Sequence, residues 1–170
     1  MSLYITTPIY YTNDVPHIGH AYTTLACDIR ARYENILGDG DVYFLSGTDE
    51  HGQKVEKAAK DANIDPKTFV DNLSINFKKL IPNLGCEIND FIRTTEDRHF
   101  KATQALWDKL VENNQIYLSN YEGWYSIKDE AFYQESELLK IDGKFVTKDG
   151  SPVDWLKEES YFFKLSEWED

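Results

Sequence analysis

Apolar residues change their spacing several times along this chain, and each change marks an element. Leu3-Tyr4-Ile5-Thr6-Thr7 is a short run of β-branched and aromatic residues of strand type. From Ile18 the period lengthens. Ile18, Tyr22, Leu25, Ile29, Tyr33 and Ile36 recur at helical spacing, which predicts a helix over 17–37 with this stripe facing a sheet. Arg30, Arg32 and Glu34 then form its solvated side. Gly38-Asp39-Gly40-Asp41 ends the helix and turns the chain into Val42-Tyr43-Phe44-Leu45, a continuous apolar run suited to a buried parallel strand. Strand, crossover helix and strand make a βαβ unit, so the fold class is α/β.

A second helix is expected over 53–62. Asp65-Pro66 offers a cap and a first-turn proline to a third, in which Phe69, Leu73, Phe77 and Leu80 share a face as far as Pro82. Phe91-Ile92-Arg93-Thr94 reads as a further strand. Thr94 and Asp97 have capping-box spacing ahead of a helix carrying Phe100, Leu106, Leu110 and Val111. After Gln115 the texture changes. Ile116-Tyr117-Leu118, Gly123-Trp124-Tyr125-Ser126-Ile127, Ala131-Phe132-Tyr133 and Lys144-Phe145-Val146-Thr147 are short β-type runs between turn-forming Asn, Asp and Gly. Residues 1–115 are therefore expected to form the βαβ-based domain, and 116–170 a small strand-rich insert of hairpins.

Composition narrows the class. In 170 residues, 41% hydrophobic and 14% aromatic side chains are enough to bury a core. Cys27 and Cys86 are the only thiols and have no paired ligand spacing, which suits a reducing cytoplasm better than a disulfide scaffold. No basic segment leads into a cleavable apolar run, and no apolar run reaches membrane-spanning length; a cytoplasmic protein with no membrane partner is expected. The net charge of −12, from 18 basic and 30 acidic residues, argues against a sequence-independent nucleic-acid binder.

The chemistry concentrates in Asn13-Asp14-Val15-Pro16-His17-Ile18-Gly19-His20, between the first strand and the first helix. Two histidines three residues apart are neighbours in the first helical turn. Free backbone N–H groups and the positive dipole end attract an anion there. Gly19 lets a flat ligand approach the backbone. Strand, loop and histidine-bearing helix start together point to a nucleotide site. Alone, the pair is as readily a surface feature or half of a metal site. His99 has no partner motif and reads as a surface or capping histidine. Trp124, Tyr125, Phe132 and Tyr133 read as a local core rather than a base-stacking platform.

The octapeptide resembles the HIGH signature of class I aminoacyl-tRNA synthetases and related nucleotidyltransferases. Two more stretches, Tyr4-Ile5-Thr6-Thr7-Pro8-Ile9-Tyr10-Tyr11-Thr12-Asn13 and Phe44-Leu45-Ser46-Gly47-Thr48-Asp49-Glu50-His51-Gly52, closely resemble the methionyl-tRNA synthetases. Gly123-Trp124-Tyr125 and Glu159-Ser160-Tyr161-Phe162-Phe163 are similar to that family's connective insert and its exit, so the resemblance spans nearly the whole chain. It implies the first half of a doubly wound parallel, Rossmann-like nucleotide-binding fold over 1–115, followed by the connective insert. It also implies that His17 and His20 are catalytic, contacting ATP phosphates, and that Gly19 completes the ATP site. Asp49 would pair with the α-ammonium of methionine, since a cation leaving water needs an opposite charge. Ile9 and Tyr11 would line the methionine pocket, with Pro8 and His51 as neighbouring walls. Without the resemblance, Asp49 reads as a turn or capping residue and Ile9 and Tyr11 as core. ATP with Mg2+, methionine and tRNA(Met) are the implied substrates.

The chain departs from the family in two ways. Many members hold zinc in the insert with Cys-x-x-Cys pairs; here the first such position reads Ser126-Ile127-Lys128-Asp129, so a zinc-free insert held by packing, with no metal ligands, is expected. The second signature, KMSKS, has no counterpart, and Lys164-Leu165-Ser166-Glu167 is only a passing likeness. The chain therefore reads as the N-terminal portion of a longer enzyme, truncated in or just past the insert, with tRNA contacts made by missing C-terminal regions. Half of a doubly wound sheet supplies half of its crevice and leaves a strand edge open. The chain alone is expected to be inactive and to self-associate. Three other readings remain: a non-catalytic nucleotide- or amino-acid-binding module retaining the half-fold; another HIGH-type nucleotidyltransferase, opposed by the 8–11 and 47–52 matches; and a metal-dependent hydrolase on His17 and His20, which lacks a third ligand.

Overall fold

The computed structural model describes residues 2–38, 40–141 and 143–169. The chain divides into two compact units, Met1–Gln104 and Ala105–Asp170. The first is built on a parallel sheet. Strands β1 (Leu3–Thr6) and β2 (Tyr10–Tyr11) are two pieces of one line alongside β3 (Val42–Asp49), with Leu3 beside Val42, Tyr10 beside Thr48 and Tyr11 beside Asp49. Pro8, lying between the pieces, has no N–H to give the ladder. Strand β4 (Asp90–Arg93) takes the opposite side of β3, since Leu45 pairs with both Thr6 and Asp90. Gly47 sits beside Ile92, whose carbonyl oxygen would lie 2.2 Å from an added Cβ, so this approach of β4 to β3 requires glycine. Strand β3 outruns the apolar segment 42–45 by four residues. Its continuation Ser46-Gly47-Thr48-Asp49 carries no apolar signal and is extended because it has parallel partners on both sides.

Helix α1 (Ile18–Leu37) joins β2 to β3, while α2 (Gln53–Asp61) and α3 (Pro66–Asn83) join β3 to β4. Helix α3 starts where the Asp65 carboxylate accepts the Thr68 N–H at 3.0 Å, and it holds Pro82 in its last turn rather than beyond it. Helices α1 and α3 pack on β3 and touch each other. Phe77 and Ile81 of α3 meet Tyr10, Cys86 and Phe91 in the core, with Leu84 and Ile88 against them.

The buried face of α1 is not the one its periodicity predicts. Ile18, Tyr22, Ile29 and Ile36 are 85%, 76%, 64% and 83% exposed, and Leu25 and Tyr33 are exposed too. The buried residues are Ala21, Thr24, Asp28 and Ala31. Small side chains let the helix lie close to sheet and α3, and the polar ones are satisfied there. Thr24 Oγ1 shares a hydrogen bond with Tyr10 Oη at 2.9 Å, and the Asp28 carboxylate accepts the Glu87 N–H at 3.0 Å. Arg32, expected on the solvated side, bonds Asp28 and reaches the Gly85 carbonyl. Gly38 closes the helix by donating to the Glu34 carbonyl at 2.7 Å; Asp39 of the expected turn lies outside the described residues.

The unit boundary falls inside α4 (Asp97–Glu112). In the second unit, β5 (Ile116–Ser126) and β6 (Ala131–Tyr133) form an antiparallel hairpin, as do β7 (Leu139–Ile141) and β8 (Lys144–Val146). Strand β9 (Asp154–Phe163) then returns along β5, from Ile116 beside Phe163 to Tyr125 beside Asp154, so the unit is more than a chain of local hairpins. Rings gather on this ribbon: Trp124 lies 4.7 Å from Phe145 and 5.4 Å from Trp155, and Tyr121 lies 4.4 Å from Phe132. Among the described residues, no helix is long and apolar enough to cross a membrane.

Candidate functional site

Helix α1 begins at Ile18 because two imidazoles cap it. His17 Nδ1 accepts the Gly19 N–H at 3.0 Å, and His20 Nδ1 accepts the His17 N–H at 3.0 Å. This is a capping box in which histidine takes both the hydroxyl and the carboxylate positions. An Nδ1 that accepts an N–H carries no proton of its own, so each neutral ring holds its proton on Nε2. The hydrogen-bond pattern thus leaves both rings as Nε2–H donors at a helix N-terminus. The rings lie 3.9 Å apart, tilted by 39°. A Cβ on Gly19 would stand 2.9 Å from His17 Cε1, so the cap itself needs the glycine. His20 also meets Tyr10 edge-on at 4.8 Å and Phe77 at 5.1 Å. Partial burial, and then the neighbouring His17, hold its pKa below the ordinary histidine value, in the same direction as the tautomer.

Strand β2 carries the histidine cluster to the end of β3. Its two residues point to opposite faces. Tyr10 is buried, which raises its pKa, and its hydroxyl donates to the His20 carbonyl at 3.3 Å. Tyr11 brings its hydroxyl over Gly52, the N-cap of α2, and Lys54 Nζ lies 5.9 Å from its ring. Asp49 is registered beside Tyr11, and its carbonyl accepts both the N–H and the hydroxyl of Thr12 at 3.2 Å. The carboxylate of Asp49 therefore sits at the C-terminal end of the central parallel strand, partly exposed, where open α/β sheets hold ligands.

Of the other predicted residues, Pro8 and Ile9 are exposed in the break between β1 and β2. His51 follows β3 and turns towards β4, with Nε2 3.3 Å from the Thr94 carbonyl and its ring 6.1 Å from Phe100. Sequence reasoning missed the group beside it. The side chain of Glu50 is sealed from solvent, with Oε1 accepting from Thr48 Oγ1 at 2.6 Å and Arg93 Nε at 2.7 Å. Oε2 accepts from Arg93 Nη2 at 2.8 Å and Thr95 Oγ1 at 2.6 Å. Arg93 also bonds Asp71, and these partners, Glu50 foremost, raise its pKa. The two partners lie 43 residues apart, so no local pattern announces the pair.

Among the described residues, no three His, Cys, Asp or Glu side chains are grouped to hold a metal ion. In the second unit, Ser126 Oγ donates to Asp129 at 2.8 Å and accepts the Asp129 N–H at 3.2 Å. Nearby, Thr147, Ser151 and Lys128 all donate to Asp149. Hard oxygens already bonded to one another, with an ammonium among them, do not fit a thiolate zinc site.

A family profile described as tRNA synthetases class I (M) matches residues 3–145. The methionine–tRNA ligase of Rickettsia prowazekii is 58% identical over 167 residues, which cover 98% of this chain and 32% of that protein. That of Oceanobacillus iheyensis is 47% identical, covering 99% of this chain and 26% of its own length. The crystal structure of Mycobacterium tuberculosis methionyl-tRNA synthetase bound by methionyl-adenylate is similar with a TM-score of 0.88 at 42% identity, covering 99% of this chain and 33% of that one. The chain thus spans between about a quarter and a third of the length of these relatives.

Proposed function

Since the chain belongs to the class I tRNA synthetases (M), we propose that it forms the ATP- and methionine-binding part of a methionine–tRNA ligase. The observation that carries this reading is the double histidine cap, which leaves two Nε2–H donors at the start of α1. In the proposed reaction a methionine carboxylate oxygen attacks the α-phosphorus of magnesium-bound ATP. The new O–P bond forms as the bond to the β-phosphate oxygen breaks, and pyrophosphate leaves with its electrons. The attacking carboxylate has no proton to lose, so no general base is required. What the step needs is alignment and stabilisation of phosphoryl charge. His17 and His20 donate to phosphate oxygens as neutral imidazoles, and the exposed backbone at Gly19 leaves room for the nucleotide. Asp49 receives the α-ammonium. Ile9 and Tyr11 contact the methionine side chain, with Pro8 and His51 at the pocket wall. The methionyl group then passes to a terminal ribose hydroxyl of tRNA(Met).

The relatives' additional length is assigned the rest of the crevice and the tRNA contacts, and the work takes place in the cytoplasm. In isolation the chain has little activity and self-associates, a reading supported by the exposed stripe on α1 and by Tyr4 and Tyr43, 62% and 44% exposed. The deciding experiment is methionine-dependent exchange of pyrophosphate into ATP, run on this chain and on the longest natural polypeptide that contains it. Exchange by the longer protein, lost on Asp49→Asn, supports the reading. Absence of exchange in both points to the non-catalytic module, and full exchange by this chain alone overturns the need for additional sequence.

A further inference from the structure

Two acids stand side by side at the end of β3, and the structure treats them oppositely. Among the described residues the Asp49 carboxylate has no hydrogen bond or ion pair, whereas the Glu50 carboxylate is sealed from solvent and takes four. We propose, resting on the reading of Asp49 as the counter-charge of the methionine ammonium, that Glu50 and Arg93 are positioning residues that fix the Asp49–His51 segment for methionine.

The argument begins with what a buried carboxylate demands. Removed from water, it needs a full set of donors and a compensating charge. Arg93, the last residue of β4, meets that demand with two parallel N–H groups, a planar fork that sets direction as well as distance. The hydroxyls of Thr48 and Thr95 fill the remaining acceptor sites. The backbone is tied in as well, with Glu50 N–H donating to Thr94 Oγ1 at 2.9 Å and His51 Nε2 lying 3.3 Å from the Thr94 carbonyl. On the other flank, Thr12 holds the Asp49 carbonyl. Each residue from Asp49 to His51 is thereby anchored to a neighbouring strand or turn. A buried ion pair is a poor device for stability alone, because apolar side chains of similar volume serve as well. What it supplies here is orientation. It also engages the guanidinium with Glu50, so that among the described residues the Asp49 carboxylate is the one of the two acids with no hydrogen bond or ion pair.

The test is steady-state exchange in the longest natural polypeptide containing this chain, with variants Arg93→Lys, Glu50→Gln, Thr95→Val and Asp49→Asn, each checked for a folded circular-dichroism spectrum at assay temperature. Arg93→Lys keeps the charge and loses the fork. It should raise KM for methionine roughly tenfold to a hundredfold while KM for ATP moves less than about twofold. Thr95→Val should raise KM for methionine in the same direction by less. If Glu50→Gln or Arg93→Lys does not fold, Thr95→Val, which removes one hydroxyl and no charge, decides. An unchanged KM for methionine in the folded variants, with only the melting temperature lowered, overturns the proposal. An unchanged KM for methionine in Asp49→Asn instead overturns the reading of Asp49 on which it rests.

Discussion

Glu50 in the first unit and Asp149 in the second both take hydrogen bonds from hydroxyls and a cation, yet one is sealed from solvent and the other stands in it. Glu50 is bonded by Thr48, Thr95 and both nitrogens of the Arg93 fork, with its side chain 0% exposed. Asp149 is bonded by Thr147, Ser151 and Lys128, with the carboxylate 51% and the lysine 64% exposed. Lys128, and then the Thr147 hydroxyl, push the Asp149 pKa well below the ordinary carboxylate range, but water and salt screen what that is worth. The same donor chemistry thus acts as an obligatory anchor where burial forbids an unpaired charge, and as a turn-shaping contact where water can substitute.

The contrast can be broken most sharply at Arg93. Arg93→Ala leaves Glu50 buried without a cation and should cost about 3–5 kcal/mol, read as a lower midpoint in urea unfolding. If the loss is no larger than for an exposed pair, Glu50 is solvated and the distinction fails. A case between the two extremes is the cap of α1, exposed but made of directed backbone bonds. His17→Ala should cost about 1 kcal/mol in the same measurement, the usual worth of an N-cap side chain.

Smaller still is the effect of pH through His20. Its folded pKa lies below its unfolded value of about 6.5, so between the two the unfolded chain binds more protons. Stability should therefore decline as pH falls below about 6.5 and level off beneath the folded pKa. Nitrogen shifts of the imidazole followed by NMR should report the Nε2–H tautomer at neutral pH, and an Nδ1–H form would refute the cap chemistry. The smallest effect belongs to Lys128→Met, which should leave the unfolding midpoint close to that of the parent at high salt. A clear loss of stability that persists in high salt would show that the second cluster is as sealed as the first.

Much of the fold could be read along the chain. The start of α1 at His17, the Asp65 cap and the short β4 were legible because capping and periodicity act over a few residues. The octapeptide at 13–20 stood out for the same reason, whereas Asp49 entered only through the family resemblance and by local pattern reads as a turn or capping residue. Strand β9 was not, since Lys157-Glu158-Glu159 breaks its apolar pattern and only its pairing with β5 makes it a strand. The second halves of β3 and of the candidate site were hidden similarly, because Ser46 to Asp49 are extended and paired, and Ser46, Gly47, Thr48 and Glu50 buried, only through partners brought in from β2, β4 and the turn after it.

By itself, the sequence determined where most of the helices and the short strands of the first unit begin and the Asp65 cap of α3, because these are settled by near neighbours in the chain. Only the tertiary structure decided which face of α1 is covered and which of two adjacent acids is buried. The stripe Ile18-Tyr22-Ile29-Ile36 lies exposed while Ala21, Thr24, Asp28 and Ala31 are buried, because close packing of a helix on a sheet rewards small size and satisfied hydrogen bonds as well as apolarity. Glu50 is buried and Asp49 is not because Arg93 arrives from 43 residues away to meet one of them. Burial is a property of neighbours in space, and a linear pattern does not name them.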